Sequence, residues 1–153
     1  MSRYLIRTFI ILLTAFHVSV VPAKEAHHPH HLGVAFGGAG HGSETSGFLG
    51  LDYMYRFKND VAAFLFFEGV SGDFEVEAYG AGIGKYFDSG WKISAGPGVE
   101  KKLKSGENLN LFHVSTGYDW HSGHWSYGPT ATVDFIEQSH DTYYLGWTFG
   151  YGF

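Results

Sequence analysis

Three sets of residues in this 153-residue chain have types and spacings that could support chemistry. His124-Trp125-Ser126 places an imidazole two positions from a hydroxyl, and the carboxylates of Asp134 and Glu137 follow. Those are the components of base-assisted nucleophilic attack. The tract His27-His28-Pro29-His30-His31 offers neutral imidazoles, which bind Zn, Cu or Ni. The third set is ionic: Asp52, Arg56, Lys92, Glu100, Asp119 and Asp134 recur on one phase of alternating segments, with Glu68 and Lys85 as further members. Enclosed together, such charges either pair, which avoids the several kcal/mol an unpaired buried charge costs, or line a narrow path for protons or ions.

Whether any of these sets acts depends on the elements that carry it. The segment 143–153 defines them most sharply. Tyr143, Leu145, Trp147, Phe149, Tyr151 and Phe153 occupy one phase of a two-residue alternation, while Tyr144, Gly146, Thr148, Gly150 and Gly152 occupy the other. Alternate side chains of a strand point to opposite faces. One face is therefore oily and the other nearly bare, with no charge on either. A soluble sheet would bury the first face and charge the second. The pattern instead predicts a transmembrane strand with its apolar side toward lipid and its small side toward a crowded lumen. A terminal Phe at this spacing is similar to the signal read by the barrel-assembly machinery of the bacterial outer membrane.

Arg3 and Arg7 precede an apolar run from Phe9 to Val21, and Val21-Pro22-Ala23 supplies small residues. This order predicts a secretory signal peptide over residues 1–23, cleaved after Ala23. The run is shorter than the ~18–20 residues a helix needs to cross a bilayer. Residues 24–31 form a His-rich lead-in, and 32–153 form one domain. Losing Arg3 and Arg7 takes the formal net charge from −5 to −7, with no basic patch for nucleic acid. Cysteine is absent, which excludes disulfides and thiolate chemistry. Aromatics reach 18% and charged residues only 16%, with 22 glycines. Soluble domains carry about 25% charge, so the composition favours short strands in an apolar solvent.

Turn residues divide 32–153 into eight strands. Leu32, Val34 and Phe36 share a face, as do Leu49, Leu51, Tyr53, Tyr55 and Phe57. Strands at 61–68 and 74–87 are ambiguous in facing, the first because both phases are apolar and the second because Gly80, Gly82 and Gly84 alternate with Tyr79, Ala81 and Ile83. Pro97 predicts a bulge. Short turns fall at 58–60, 88–90 and 121–123, and longer connections at 41–47, 69–73, 101–108 and 137–142. Short periplasmic turns with longer external loops are the usual asymmetry of membrane barrels. Phe57, Trp91, Tyr118, Trp120, Trp125, Tyr127 and Tyr151 lie near the short turns, where an aromatic girdle is expected.

Leu49-Gly-Leu-Asp-Tyr-Met-Tyr-Arg-Phe57, Gly96-Pro-Gly-Val-Glu100, Gly117-Tyr-Asp-Trp120, Pro129 with Val133-Asp-Phe135, and Phe149-Gly-Tyr-Gly-Phe153 resemble small porin-like outer-membrane barrel proteins. The resemblance covers nearly the whole mature chain and implies an eight-stranded antiparallel up-and-down barrel in a Gram-negative outer membrane. It implies no reaction. Some eight-stranded barrels hydrolyse lipid A with a His-x-Ser pair on a late strand, and His124 and Ser126 have that spacing. The strand count places them near the periplasm, some 30 Å by ~3.3 Å per residue from Glu137, beyond a general base's reach.

The expected protein is a monomeric outer-membrane barrel of structural or interaction type, with no catalytic residue and no cofactor. Its polar lumen is expected to comprise Asp52, Arg56, Glu68, Lys92, Glu100 and Asp134. Outer-membrane lipid is the expected partner, with Lys101, Lys102 and Lys104 meeting lipopolysaccharide phosphates. Three alternatives remain: a narrow porin-like ion path, a lipid A-modifying enzyme, and a soluble lipocalin-like carrier, whose interior would be apolar and exterior polar.

Overall fold

A computed structural model describes residues 28–72 and 74–153. The expected signal peptide and His27 lie outside the described residues. The strands are β1 (His30–His41), β2 (Glu44–Arg56), β3 (Val61–Ser71), β4 (Val76–Tyr86), β5 (Trp91–Lys102), β6 (Asn108–Tyr118), β7 (Trp120–Ser122), β8 (Trp125–Ile136) and β9 (Thr142–Gly152). Each pairs antiparallel with its sequence neighbour, β6 and β7 both pair with β8, and β1 pairs with β9. The sheet therefore closes on itself and leaves no edge. The β6–β8 and β7–β8 ladders run in one register, so β6 and β7 are a single stave and the barrel has eight. β1 starts at His30, so His30 and His31 belong to the first stave rather than to a lead-in.

The two interruptions of the ladders sit at prolines. The β6–β7 break at Asp119 lies opposite Gly128 and Pro129, where Pro129 has no N–H to give to Tyr118. On β5, Pro97 removes a donor toward β4, and pairing lapses between Gly80↔Gly98 and Ile83↔Ala95. The register is identical on either side. The expected bulge at Pro97 is therefore absent: the strand omits ladder contacts and inserts no extra residue.

Facing follows the alternation. Leu49, Leu51, Tyr53 and Tyr55 on β2, and Tyr143, Leu145, Trp147, Phe149, Tyr151 with Phe153 at the closing strand, are all exposed on the outside. The two ambiguous strands are now resolved. On β3, Ala62, Phe64, Phe66, Glu68 and Val70 point inward while Leu65 and Phe67 point out. On β4, Val76, Ala78 and Tyr86 point inward with the glycines, and Tyr79 and Ile83 point out. Lys85, expected in the lumen, shares the outer phase, and its Nζ donates to the Asn59 carbonyl at 2.7 Å.

β3 carries Phe64 and Phe66 inward where the facing positions on β4, Gly82 and Gly80, have no side chains. A Cβ on Gly80 would stand 2.6 Å from Phe66 Cε1, and one on Gly82 would stand 2.6 Å from Phe64 Cε1. Both phenyl rings lie over the glycine track of β4, filling space that side chains there would need. They belong to an interior apolar cluster with Met54, Ala62, Ala78, Tyr86, Leu111 and Ile136. A second cluster holds Ala39, Phe48, Val70, Phe74, Val76 and Tyr144.

The connections expected to be long are shorter than that. The four on one rim span residues 42–43, 72–75, 103–107 and 137–141, against 57–60, 87–90 and 123–124 on the rim that carries Phe153. Gly42, at φ +61°, turns the chain in two residues, and the ladder continues to His41↔Glu44 through residues expected in a loop. The expected contrast of short turns and long loops is thus nearly lost.

Candidate functional site in the barrel interior

The lumen contains two polar groups, one toward each rim. Nearer the Phe153 rim are His31, Asp52, Lys92, Asp119 and Ser126. Lys92 Nζ lies 3.0 Å from Asp119 Oδ1, with Asp119 almost fully buried. Asp52 and Lys92 both line an internal cavity of about 70 Å³, room for a few waters. Asp52 stands opposite Gly33, which has no side chain to contest its space. His31 Nε2 meets Ser126 Oγ at 2.8 Å, joining β1 to β8 across β9.

Toward the other rim are Glu68, Glu100, His113, Asp134 and Tyr144. His113 on β6 and Asp134 on β8 are direct cross-strand partners, with Nδ1 to Oδ1 at 2.8 Å. Phe66 covers the imidazole, its centroid 4.1 Å away and its plane tilted 23°. Glu68 and Glu100 flank Ala78 on neighbouring strands, so a methyl group separates positions that carry two carboxylates. Glu100 and Asp134 are fully enclosed. Among the described residues, Glu68 Oε2, Asp134 Oδ2 and both Glu100 carboxylate oxygens have no hydrogen-bond partner.

Of the six residues expected in the lumen, Asp52, Glu68, Lys92, Glu100 and Asp134 occupy these two groups. Arg56 lies at the rim. Its guanidinium reaches back to Asp60 Oδ1 at 2.8 Å and covers the Tyr86 ring at 4.9 Å. Asp60 sits in the turn with a positive φ of 61°.

The hydrolase set is not assembled. Ser126 Oγ is bonded to His31, whereas His124 Nδ1 is bonded to the Gly152 carbonyl at 2.8 Å. Asp134 belongs to His113, and Glu137 accepts from Asn110 Nδ2 at 2.9 Å. The histidine tract is divided as well. His28 packs on His124 with centroids 4.2 Å apart, His30 on Phe153 at 5.4 Å, and His31 turns inward. Strand alternation sends His30 and His31 to opposite faces.

Sequence reading missed His113 as a partner of Asp134 and His31 as a partner of Ser126. A signal existed for His113, since it shares the inward phase with Ser115 and Gly117. Nothing in the sequence paired it with β8.

No protein-family model matches this chain, and no curated protein matches it by sequence. Its fold, however, is shared with several solved structures. The N-terminal β-barrel domain of Pseudomonas aeruginosa OprF is 12% identical at TM-score 0.65, aligning 82% of this chain with 98% of that one. The Yersinia pestis outer membrane protein Ail, solved in a phospholipid bilayer nanodisc, is 15% identical at TM-score 0.54, over 80% and 99% of the two chains. Neisserial surface protein A is 13% identical at TM-score 0.54, over 81% and 96%. The architecture is that of a small antiparallel transmembrane barrel.

Proposed function

We propose that this protein is an integral bacterial outer-membrane barrel of structural or interaction type, without catalytic activity. One observation carries the reading: the outer surface of a closed barrel is apolar on stave after stave, from Leu32 and Leu51 to Ile83, Phe112 and Trp147. Water would not stabilise that surface and hydrocarbon would. The 12-residue β1 has the matching length. At ~3.3 Å per residue and ~40° tilt it projects about 30 Å along the axis, the thickness of a bilayer core. On this reading Tyr143, Leu145, Trp147, Phe149, Tyr151 and Phe153 face lipid. A soluble lipocalin-like carrier would need the reverse arrangement of faces.

Solute diffusion is disfavoured by the rings of Phe48, Phe64, Phe66 and Tyr144 packed inside. A hydrolase reading is disfavoured by the enclosure of Ser126, whose buried hydroxyl offers a phospholipid or lipid A molecule no approach. Residues 1–23 serve as the export signal, and the barrel-assembly machinery inserts the mature chain as a monomer. Lipopolysaccharide is the lipid partner on one side. Lys101, Lys102 and Lys104 sit at the rim opposite Phe153, where Lys102 also pairs with Glu107 at 3.1 Å.

Fractionation of a Gram-negative host tests the reading. The protein should remain in the outer membrane after carbonate and salt washes, and migrate differently on detergent gels before and after boiling. The mature chain should begin at Lys24 by mass spectrometry. Release by carbonate without detergent would overturn the membrane assignment.

A further inference from the structure

We propose that Glu68, His113 and Asp134 form a divalent metal site inside the barrel, with Zn²⁺ as the best-matched ion. The three residues come from β3, β6 and β8, and one ligating atom from each lies within 4.8 Å of the other two. Around a tetrahedral Zn²⁺ with bonds of about 2.0–2.2 Å, neighbouring ligand atoms stand roughly 3.3 Å apart. The His113–Asp134 edge, at 2.8 Å, would open by about 0.5 Å and give up its shared proton to reach that spacing, and Glu68, within 4.8 Å of both, would close on the ion.

Burial and missing partners point to a cation. Glu68 is 8% exposed, His113 4% and Asp134 0%. Among the described residues, Glu68 Oε2 and Asp134 Oδ2 nonetheless have no hydrogen-bond partner. A buried carboxylate without a partner is strongly destabilising, and buried charges are normally paired or coordinate metals. Among the described residues, the lumen lysine Lys92 is engaged with Asp119, and Arg56 at the rim is engaged with Asp60. Glu100 stands one strand beyond Ala78 from Glu68 and brings no positive charge to the cluster. A divalent ion would neutralise Glu68 and Asp134 together.

The surroundings suit a small ion of borderline softness. One imidazole with two carboxylates is a donor set used by Zn²⁺. Ca²⁺ needs six to eight oxygens, and the apolar walls of Phe64 and Phe66 do not supply them. Glu68 and His113 also line the internal cavity, which provides water for the fourth position. Phe66 stacked on His113 holds the ring in place.

Zinc titration of the full-length protein, folded in detergent and stripped with chelator, tests this by calorimetry and by metal content after gel filtration. A background variant with His27, His28 and His30 replaced by Ala removes the competing tract. That variant should retain one Zn²⁺ per chain, and adding Zn²⁺ should raise its melting temperature. On the same background, E68Q and H113Q should each weaken binding at least ~100-fold, with heat-modifiable migration unchanged. Loss of all binding with the tract, or undiminished binding in H113Q, would overturn the site. If the substituted barrels fail to fold, Co²⁺ decides on the tract variant alone. Intense visible bands of tetrahedral Co²⁺, displaced by Zn²⁺, would support the site, and a pale octahedral spectrum would overturn it.

Discussion

Phe66 on β3 lies nearly flat on His113 of β6, ring centroids 4.1 Å apart and planes 23° from parallel. The two strands are not neighbours, so this contact crosses the lumen. It sits over glycine positions on the strands between, where Phe66 Cζ would be only 2.9 Å from a Cβ at Gly98. The lumen is closed at this level by a ring that neighbouring strands leave room for.

Replacing Phe66 by Ala should therefore both loosen and open the barrel. Loss of a buried phenyl costs about 3–5 kcal/mol in a packed core. Urea unfolding of the reconstituted protein should show that loss. In planar bilayers the wild type should be silent, while F64A/F66A should give stepwise conductance.

The glycine track can be tested against a glycine with open surroundings. A side chain at Gly80 meets Phe66, whereas one at Gly38 meets nothing within 4 Å. G80V should cost about 1–3 kcal/mol, the range for overpacked sites, or prevent folding. G38A should be neutral or stabilise by up to about 1 kcal/mol through the unfolded chain. Heat-modifiable gel migration and urea midpoints separate the two.

Lys92 and Asp119 form the enclosed ion pair of the other polar group, at 3.0 Å. Removing one partner leaves the other charge buried, so K92M should destabilise by about 3–5 kcal/mol. K92M/D119L should recover most of that loss, because both charges leave together. A double-mutant cycle by urea unfolding measures the coupling.

Trp147 reports the solvent of the outer face, being large, exposed and central on β9. In liposomes, W147K should cost about 2–4 kcal/mol if hydrocarbon surrounds it near mid-bilayer. A water-exposed site would change by no more than about 0.5 kcal/mol. The magnitude distinguishes a lipid-facing barrel from a soluble one.

Much of this architecture was legible in the sequence for a local reason. A strand repeats every two residues, so Leu49, Leu51, Tyr53 and Tyr55 declare a face without reference to any neighbour. The turns at 58–60, 88–90 and 121–123 were also marked by local residues, and each lies within or next to an observed connection. The other connections were overestimated because Gly47, Ser46 and Thr45 resemble loop residues. They are in fact strand residues, paired with Gly38, Ala39 and Gly40.

Strand three resisted assignment because Phe64 and Leu65 are both oily. Which one faces inward is decided by β4 and β5, whose glycines make room for Phe64 and Phe66. The division of Ser126 from His124, and its bond to His31, likewise required the register of β1, β9 and β8.

The amino-acid order alone determined that this chain makes amphipathic strands, with oily side chains on one face and small or ionic ones on the other. Only tertiary structure decided which ionic residues meet. Glu68, His113 and Asp134 come from three strands as far as 66 positions apart in sequence. Alternation fixes the face on which a residue lies, because that is a property of one strand. Closure and register fix its height and its neighbours across the lumen, because they depend on all the strands at once.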